Sequence, residues 1–393
     1  MAHFNTVFNQ LLDFIPRHDF EQFVKGYDGD KYSKKLSCWQ QFTCLFFAQA
    51  TGKNSLREIE TELKVHCRKW YHLGLETVAK STLADANRER SAEIYQKLFY
   101  ELLGRCKGFS PEKKFNFDLP VYLLDGSVIS LCLKLFPWSR FGQKKGGLKI
   151  HCLLSLERQI PEIVVLTEQK LHELEMAEEI DLKRFSDSWF VFDRGYIKYS
   201  WWKRLNDHRI KFITRTRTDT NIFVLGQLKE AADENADGVL KDEKIGLFSE
   251  LGLKEYPEDL RLVTYRDPET KKLYKFITND FSQEAQVIAD LYKARWDIES
   301  FFRWIKQNLK IKSFLGTTKN AVQSQIWVAL IYLLLVYYIK HQTNTKLTLL
   351  ELFRTIKTAL LMPFTLIDLL QLNPENIEFI LTRASPKEQL TLC

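Results

Sequence analysis

The sequence lacks the cysteine patterns that mark disulfide frameworks and zinc sites. Its seven cysteines are odd in number and include no CxxC pair, so neither kind of site is predicted. Proline is also scarce, at 10 of 393 residues, whereas 45% of the residues are hydrophobic and 13% are aromatic. This composition excludes a disordered chain and predicts two or three folded domains with a sizeable core.

The sequence also lacks a hydrophobic run long enough for a membrane span. Its most apolar segment, residues 326–339, has 14 residues, whereas a span needs about 20. We predict a fully buried helix there. The N-terminal residues reach Asp13 soon after their first apolar positions and have no signal-peptide core. We therefore expect a cytoplasmic protein with no membrane partner.

The sequence also lacks a large net charge. Lys and Arg total 57 against 50 Asp and Glu, which gives a net charge of +7. An acidic partner such as nucleic acid is compatible with this balance. The location of the charge, rather than its sum, must identify the partner.

Residues 1–106 have a helical pattern. Ser55 with Glu58 and Thr82 with Asp85 have the spacing of capping boxes, which predicts two short helices joined by a turn. Such a pair could form a helix-turn-helix that faces DNA, and an ordinary helical bundle with a solvated charged face is the favoured alternative. The polar residues that could face DNA are Lys80, Asn87, Arg88 and Arg90.

After residue 115 the pattern changes to short strands. Three strands in succession, followed by alternating helix and strand, predict an α/β fold with a mixed sheet flanked by helices over 115–216. Residues 217–280 read as a β-rich insertion, and helices return over 281–345. Residues 346–393 form a helical C-terminal region in this division.

Two carboxylates occupy positions where a sheet would present them. Asp125 lies within the apolar strand "YLLDGS", and Asp193 ends the strand "WFVFD", before Gly195. A charged group is rarely buried without a partner. Because ligands gather near strand ends in such sheets, both carboxylates could point into one crevice.

The segment "YKARWDIESFFRWIK" combines an apolar face with a charged one. In a single helix Tyr292, Arg295, Glu299 and Lys306 would fall within roughly 60° of arc. A second face would carry the apolar side chains, which are Ala294, Ile298, Phe301 and Ile305. A carboxylate beside two cations and a phenol predicts a site for a negatively charged ligand.

Glu299 could join Asp125 and Asp193 as a third carboxylate. Carboxylates without a histidine or cysteine cluster suit a hard ion such as Mg²⁺ or Mn²⁺. Paired ions of this kind support in-line displacement at phosphorus. Each Asp alone could equally be a capping or turn residue, so the prediction depends on the three together.

These motifs resemble those of DDE-type insertion-sequence transposases of the IS-four group. The signature of that group is Tyr, two residues, Arg, three residues, Glu, six residues, Lys, which matches Tyr292, Arg295, Glu299 and Lys306. "LLDGS" and "VFDRGY" are similar to the motifs of its first and second aspartates. His172 and Glu173 stand where the family often has His-Asp. The resemblance covers about residues 115–345.

The resemblance implies a ribonuclease-H-like fold, interrupted by an insertion before the last catalytic helix, with a helical N-terminal DNA-binding domain. It implies a transposase that cleaves element ends and joins the freed 3′-hydroxyl to target DNA. Asp125, Asp193 and Glu299 would bind two Mg²⁺ or Mn²⁺ ions. Double-stranded DNA would be the partner of a homodimer at the nucleoid. The residues that would hold DNA are Tyr292, Arg295, Lys306 and Lys149, with Lys144 and Lys145 beside the last.

One departure from the family concerns the insertion. Members that cut through a hairpin intermediate hold a flipped base against a tryptophan there, and residues 217–280 contain none. Stacking on Phe223, Phe248, Tyr265 or Tyr274 is physically possible. Two alternatives to a transposase remain: a related nuclease or recombinase without strand transfer, and a non-catalytic DNA-binding inhibitor, which would not need three carboxylates.

Overall fold

The computed structural model describes residues 6–70, 75, 77–109, 117–141, 145–168, 173–216, 221–229 and 236–370. The chain divides into two compact units. The first comprises residues 1–110, 134–138 and 305–393, and the second comprises residues 111–133 and 139–304. The division into five functional segments stays a prediction.

The described strands all belong to one sheet in the second unit. They are β1 (Val121–Leu131), β2 (Arg140–Phe141), β3 (Lys145–Ser155), β4 (Pro161–Glu168), β5 (Trp189–Phe192), β6 (Lys211–Arg215), β7 (Ile222–Lys229), β8 (Gly238–Leu247), β9 (Leu260–Arg266) and β10 (Leu273–Thr278).

The described helices occur in both units. They are α1 (Val7–Asp13), α2 (Arg17–Gly26), α3 (Cys38–Thr51), α4 (Leu56–Val65), α5 (Cys67–Trp70), α6 (Lys80–Glu89), α7 (Glu93–Cys106), α8 (Glu173–Glu178), α9 (Tyr199–Asp207), α10 (Glu250–Glu255), α11 (Ala285–Ala294), α12 (Trp296–Asn308), α13 (Lys319–Thr343), α14 (Leu349–Ala359) and α15 (Leu366–Leu369).

The sheet is mixed, as predicted. Its strand order is β2-β3-β1-β5-β6-β10-β9-β8-β7, and β4 pairs with β3. β5 runs parallel to both β1 and β6, whereas the other pairs are antiparallel. The insertion is β-rich, and its strand β10 pairs directly with β6. It therefore extends the central sheet.

Aromatic side chains fill the core behind the centre of this sheet. Phe192 at the end of β5 lies 4.8 Å from Trp201 and 5.9 Å from Phe212, measured between ring centroids. Trp202 lies 5.0 Å from Phe212, and all four rings are buried. Because rings of this size bury large apolar areas, this packing holds α9 against β5 and β6.

The first unit is organised around the apolar helix α13, which packs against α3, α6, α7 and α14. By length and composition it is the one helix in the described residues that could cross a membrane, yet 89% of its most apolar window is buried inside the protein. Phe46 and Phe99 lie against Tyr332 and Trp327 of this helix, at 5.4 and 5.3 Å between ring centroids. A core helix of a folded domain has this environment.

Only part of the expected helix-turn-helix pattern occurs. Ser55 caps α4 as predicted, since its side chain accepts a hydrogen bond from Glu58 N–H. The second capping box is wrong, because α6 begins at Lys80, before Thr82, with Ala79 at its cap and no side-chain cap hydrogen bond.

Two of the residues predicted to face DNA instead stabilise the helical bundle. Asn87 is 2% exposed and accepts a hydrogen bond from the Gln41 amide at 2.9 Å. The Arg90 side chain is 12% exposed, and its guanidinium donates to the Gln41 amide oxygen, the Ser33 hydroxyl and the Leu36 carbonyl. These polar groups connect helices within the unit, which accords with the alternative of an ordinary bundle.

A buried ion pair connects the insertion strands to the segment before α11. Arg261 on β9 donates to both carboxylate oxygens of Asp242 on β8, at 2.8 and 2.7 Å, and to the Gln283 carbonyl at 2.6 Å. Arg261 and Asp242 are only 4% and 5% exposed. Removing one partner of a buried ion pair is strongly destabilising, because the other charge is left buried without a partner.

We predict that Arg261→Met lowers the free energy of unfolding by about 3–5 kcal/mol, because it leaves the Asp242 charge buried and unpaired. Urea denaturation of the full chain measures this. Arg209→Met is the matched control, since Arg209 makes the same two-bond contact with Asp187 but on the surface, where a pair contributes about 0–1 kcal/mol. Equal losses in the two variants would contradict the role of the buried pair.

Candidate active site

The pairing of β1 with β5 places two aspartates at neighbouring positions. Leu124 on β1 is the register partner of Phe192, the last residue of β5. Asp125 and Asp193 are therefore the next residues on two parallel, adjacent strands, whose backbones are about 4.8 Å apart. The structure thus brings together the two aspartates predicted to share a crevice.

Backbone N–H groups bind both aspartates where the parallel pairing of β1 with β5 stops. The Asp125 carboxylate accepts a hydrogen bond from Gly126 N–H at 2.7 Å. The Asp193 carboxylate accepts one from Gly195 N–H at 2.8 Å and caps the short 3₁₀ turn of residues 194–196. The Thr214 hydroxyl on β6 donates to the Asp193 carbonyl at 3.2 Å. These bonds limit the orientations of both side chains.

The segment 292–306 is not one continuous helix. α11 ends at Ala294 and α12 begins at Trp296. Arg295 lies in a tight turn between them, in which its N–H bonds to the Tyr292 carbonyl and its carbonyl accepts from Ile298 N–H, at 3.1 and 3.2 Å. The single continuous helix expected from the sequence is therefore wrong, because the helix is interrupted near the start of the segment.

The apolar face of the segment also differs at one position. Ile298 and Ile305 are fully buried, and Ala294 is nearly so. Phe301, however, is only half-buried, and Phe302 takes the buried position. The interruption before α12 changes the face that this helix turns inward.

Arg295 bridges two of the predicted catalytic carboxylates. Its Nη1 lies 3.4 Å from Asp125 Oδ2, and its Nη2 lies 2.5 Å from Glu299 Oε1. Glu299 is in the first turn of α12, where the positive end of the helix dipole favours a carboxylate. Glu299 therefore lies beside Asp125, although 174 positions separate them in the printed sequence.

The carboxylates act on one another through their charges. The pKa of Asp125 is raised from its ordinary 3.8 to about 6, mainly by burial and also by the charges of Asp193 and Glu299. The hydrogen bond from Gly126 and the charge of Arg295 act in the opposite direction. Ionisation of Asp125 in the folded protein is therefore costly.

Tyr292 packs under this cluster. Its ring is 6% exposed and lies 4.7 Å from the ring of Phe276 on β10. The Arg295 guanidinium lies 5.8 Å from the centre of the Tyr292 ring. Its assignment as a phosphate contact stays a prediction, and its burial indicates that it also supports Arg295.

The predicted lysines that the structure describes lie on α12 and β3, and their assignment as DNA contacts stays a prediction. Lys306 lies in the last turn of α12, two turns from Glu299, in the part of the helix that belongs to the first unit. Lys149 on β3 is the register partner of Val128, three positions beyond Asp125 on β1. Lys145 is exposed at the start of β3, while Lys144 and His172 lie outside the described residues.

The three carboxylates are suitable ligands for a hard divalent cation, but they are not arranged to bind one in this structure. Three carboxylates offer the oxygen ligands that Mg²⁺ and Mn²⁺ prefer. Among the described residues, however, no three His, Cys, Asp or Glu side chains are grouped so that they could hold a metal as they stand. The Arg295 guanidinium lies between two of the carboxylates. Asp125, Asp193 and Glu299 are the residues that could hold a metal after Arg295 withdraws.

Gln159 helps to position the site, although no sequence motif marks it. Gln159, in the turn between β3 and β4, donates to the Asp297 carboxylate at 3.1 Å and to the Leu156 carbonyl at 2.7 Å. Asp297 lies in the first turn of α12, so this contact anchors the start of the helix that carries Glu299. Only the tertiary structure makes Gln159 a neighbour of that helix.

The insertion presents two of its aromatic side chains to solvent. Phe248 is 70% exposed and Phe223 is 38% exposed, and their ring centroids are 6.2 Å apart. Tyr274 instead stacks on Phe276 at 6.0 Å, and Tyr265 lies 6.4 Å from the same ring. Of the four aromatics considered from the sequence, Phe223 and Phe248 are the more accessible.

The fold and the paired aspartates at the centre of a mixed sheet define a ribonuclease-H-like α/β protein. Comparison with known families adds that residues 116–335 match the transposase DDE domain. Residues 3–76 match a domain of unknown function, DUF4372. Since the first match covers more than half of the chain, this protein belongs to the transposase DDE domain family.

Similar proteins are transposases by description, and two of them are described as transposases of insertion sequence elements. The chain is 32% identical over 252 residues to transposase y4zB of Sinorhizobium fredii (strain NBRC 101917 / NGR234), covering 63% of this chain and 68% of that protein. It is 26% identical over 287 residues to the transposase of IS5377 from Geobacillus stearothermophilus, covering 72% and 74%. It is 27% identical over 266 residues to that of IS4SA from Synechocystis sp. (strain ATCC 27184 / PCC 6803 / Kazusa), covering 66% and 72%.

A solved structure supports the same fold. The piggyBac transposase, in a cryo-EM structure of its synaptic complex with hairpin DNA, superposes with a TM-score of 0.50 at 10% identity, covering all of this chain and 87% of that one. The predicted family and the ribonuclease-H-like fold are confirmed. The protein is a DNA transposase, an enzyme that cleaves DNA.

The raised pKa of Asp125 predicts a pH-dependent stability of the metal-free protein. The folded chain binds this proton more tightly than the unfolded chain, so the contribution of this group to stability is present below about pH 4 and is lost as the pH rises through about 6. Asp125→Asn removes the charge, so at about pH 7.5 it should raise the free energy of unfolding by up to about 3 kcal/mol. Urea denaturation in EDTA measures the gain, which should shrink near pH 4.5.

Asp187→Asn is the control for this prediction, since Asp187 is an exposed aspartate of the same unit. Its substitution should cost at most about 1 kcal/mol and should bring no gain. A loss of stability in Asp125→Asn at both pH values would contradict the prediction, because it would mean that the ion pair with Arg295 outweighs the cost of burying the charge.

Proposed function

We propose that this transposase hydrolyses a strand at each end of its insertion sequence and then directs the freed 3′-hydroxyl to target DNA, with Asp125, Asp193 and Glu299 as metal ligands. Mg²⁺ or Mn²⁺, two ions in number, would be the cofactor. The observation that carries the proposal is that one guanidinium holds the carboxylates of Asp125 on β1 and Glu299 at the start of α12, while strand register places Asp193 beside Asp125.

The charge of this cluster supports a cation site. Arg295 contacts two of the three carboxylates, and the pKa of Asp125 is raised partly by the charges of Asp193 and Glu299. Divalent ions bound there would activate the attacking oxygen and stabilise the leaving one in an in-line displacement. The backbone N–H groups of Gly126 and Gly195 would keep both aspartates oriented through the reaction.

The remaining predicted residues would hold DNA. Arg295 has a planar fork suited to a phosphate, and Lys306 and Lys149 would act as point charges. Tyr292 would contact a phosphate or support Arg295. The substrate in this proposal is double-stranded DNA, both element ends and target, bound by a homodimer that acts in the cytoplasm at the nucleoid.

A cleavage assay tests the proposal. The substrate is a supercoiled plasmid that carries the element with its own flanking DNA, and the products are nicked, linear and strand-transfer molecules. Asp125→Asn, Asp193→Asn and Glu299→Gln should each reduce cleavage by at least about a hundredfold, since even residues outside the ligand shell of a metal contribute about 10- to 100-fold. Binding of end DNA in a gel-shift assay should persist.

Asp187→Asn should cleave like the unmodified protein, because its side chain lies on the surface away from the cluster. Mg²⁺ or Mn²⁺ should support cleavage, whereas Ca²⁺ should not, since Ca²⁺ accepts irregular coordination that misaligns the reacting groups. Undiminished cleavage in EDTA would refute the metal site. Cleavage without strand transfer to an added 3′-hydroxyl acceptor would refute the joining step alone.

A further inference from the structure

Arg295 occupies the position that a metal ion would need. Its two terminal nitrogens lie 3.4 Å from Asp125 Oδ2 and 2.5 Å from Glu299 Oε1, so the guanidinium stands between two of the proposed metal ligands. Its side chain is 11% exposed. A cation held this way compensates two carboxylates that would otherwise repel each other in a poorly hydrated place.

The guanidinium is not fully satisfied where it lies. Its Nε is buried, and within the described part of the chain no acceptor lies in hydrogen-bonding range of it. Buried arginines normally use most of their five donors. The two carboxylates hold the group, and the Tyr292 phenol also interacts with it. The rings of Tyr292 and Trp296 lie 5.8 and 6.0 Å from its central carbon.

Arg295 and a metal ion would compete for the negative charge of the same two carboxylates. Mg²⁺ and Mn²⁺ bind oxygens at about 2 Å, whereas the guanidinium needs Asp125 Oδ2 and Glu299 Oε1 as acceptors. Arg295 lies in the short turn between α11 and α12, where a change of side-chain rotamer does not require either helix to unfold. Release of the guanidinium from the two oxygens would therefore leave the backbone of both helices in place.

We propose that Arg295 is an internal counter-ion of the metal-free enzyme, which a divalent cation displaces when it binds Asp125 and Glu299. The displaced guanidinium then becomes available to a phosphate of the DNA. Arg295 acts in this model as a positioning residue that lowers metal affinity before DNA engages. The inference rests on the proposed function, because it takes these carboxylates as the metal ligands.

The test measures Mn²⁺ binding by the full chain, without DNA, from the electron paramagnetic resonance signal of free Mn²⁺. Arg295→Met removes the competing cation and keeps a long apolar stem. We expect it to bind Mn²⁺ roughly fivefold or more tightly than the unmodified protein, which is the lower range of coupling between two linked sites. Structural damage would weaken binding, so a tighter affinity cannot arise from misfolding.

Two further variants complete the comparison. Arg209→Met, which removes an equivalent two-bond contact with a carboxylate on the surface, should leave Mn²⁺ affinity unchanged. Arg295→Lys keeps a charge that reaches only one carboxylate at a time, so its affinity should be intermediate. If Arg295→Met does not fold, as judged by circular dichroism, an affinity of Arg295→Lys above that of the unmodified protein supports the proposal, and one at or below it overturns it.

The outcomes separate this inference from the proposed function. If the unmodified protein binds Mn²⁺ and Glu299→Gln abolishes the binding, the metal site stands. Unchanged or weaker binding by Arg295→Met then overturns the counter-ion role alone. If neither the unmodified protein nor Arg295→Met binds Mn²⁺, both ideas fail. Binding that appears only in Arg295→Met supports the counter-ion role in its strongest form.

Discussion

The parallel pairing of β1 with β5 puts the carboxylates of Asp125 and Asp193 side by side, and the rest of the site compensates for that concentration of charge. Each carboxylate accepts a hydrogen bond from one nearby backbone N–H. Glu299 adds a third charge but lies in the first turn of α12, where the positive end of the helix dipole stabilises it. Arg295 supplies a positive charge in contact with Asp125 and Glu299.

The interruption between α11 and α12 has a physical reason in this arrangement. It lets Tyr292 pack against Phe276 on β10 while Arg295 reaches both Asp125 and Glu299. The insertion strands thereby pack against α11 as well as lengthening the sheet. Arg261 adds a second connection through its bond to the Gln283 carbonyl, just before α11.

Polar residues inside the first unit illustrate how charge patterns on a helix can mislead. Asn87 and Arg90 have the spacing of a solvated or DNA-facing surface, yet both take part in a buried network with Gln41. Such a network is stable only when each member finds its partner. The partners come from α3, which is distant in the sequence, so no local pattern reveals them.

The sequence by itself determined the features that depend on local periodicity or on motif spacing. It identified the mixed α/β class, the buried helix near residues 326–339, the Ser55 cap, and the DDE transposase family from the motifs around Asp125, Asp193 and Glu299. These follow from residue order, because side-chain period and motif spacing are properties of neighbouring positions. The tertiary structure alone decided that Arg295 bridges Asp125 and Glu299, that the helix stops at this arginine, and that Gln159 anchors Asp297. Most of those contacts join positions far apart in the chain. They depend on which groups are buried together and which charges meet, and a short stretch of sequence does not contain that information.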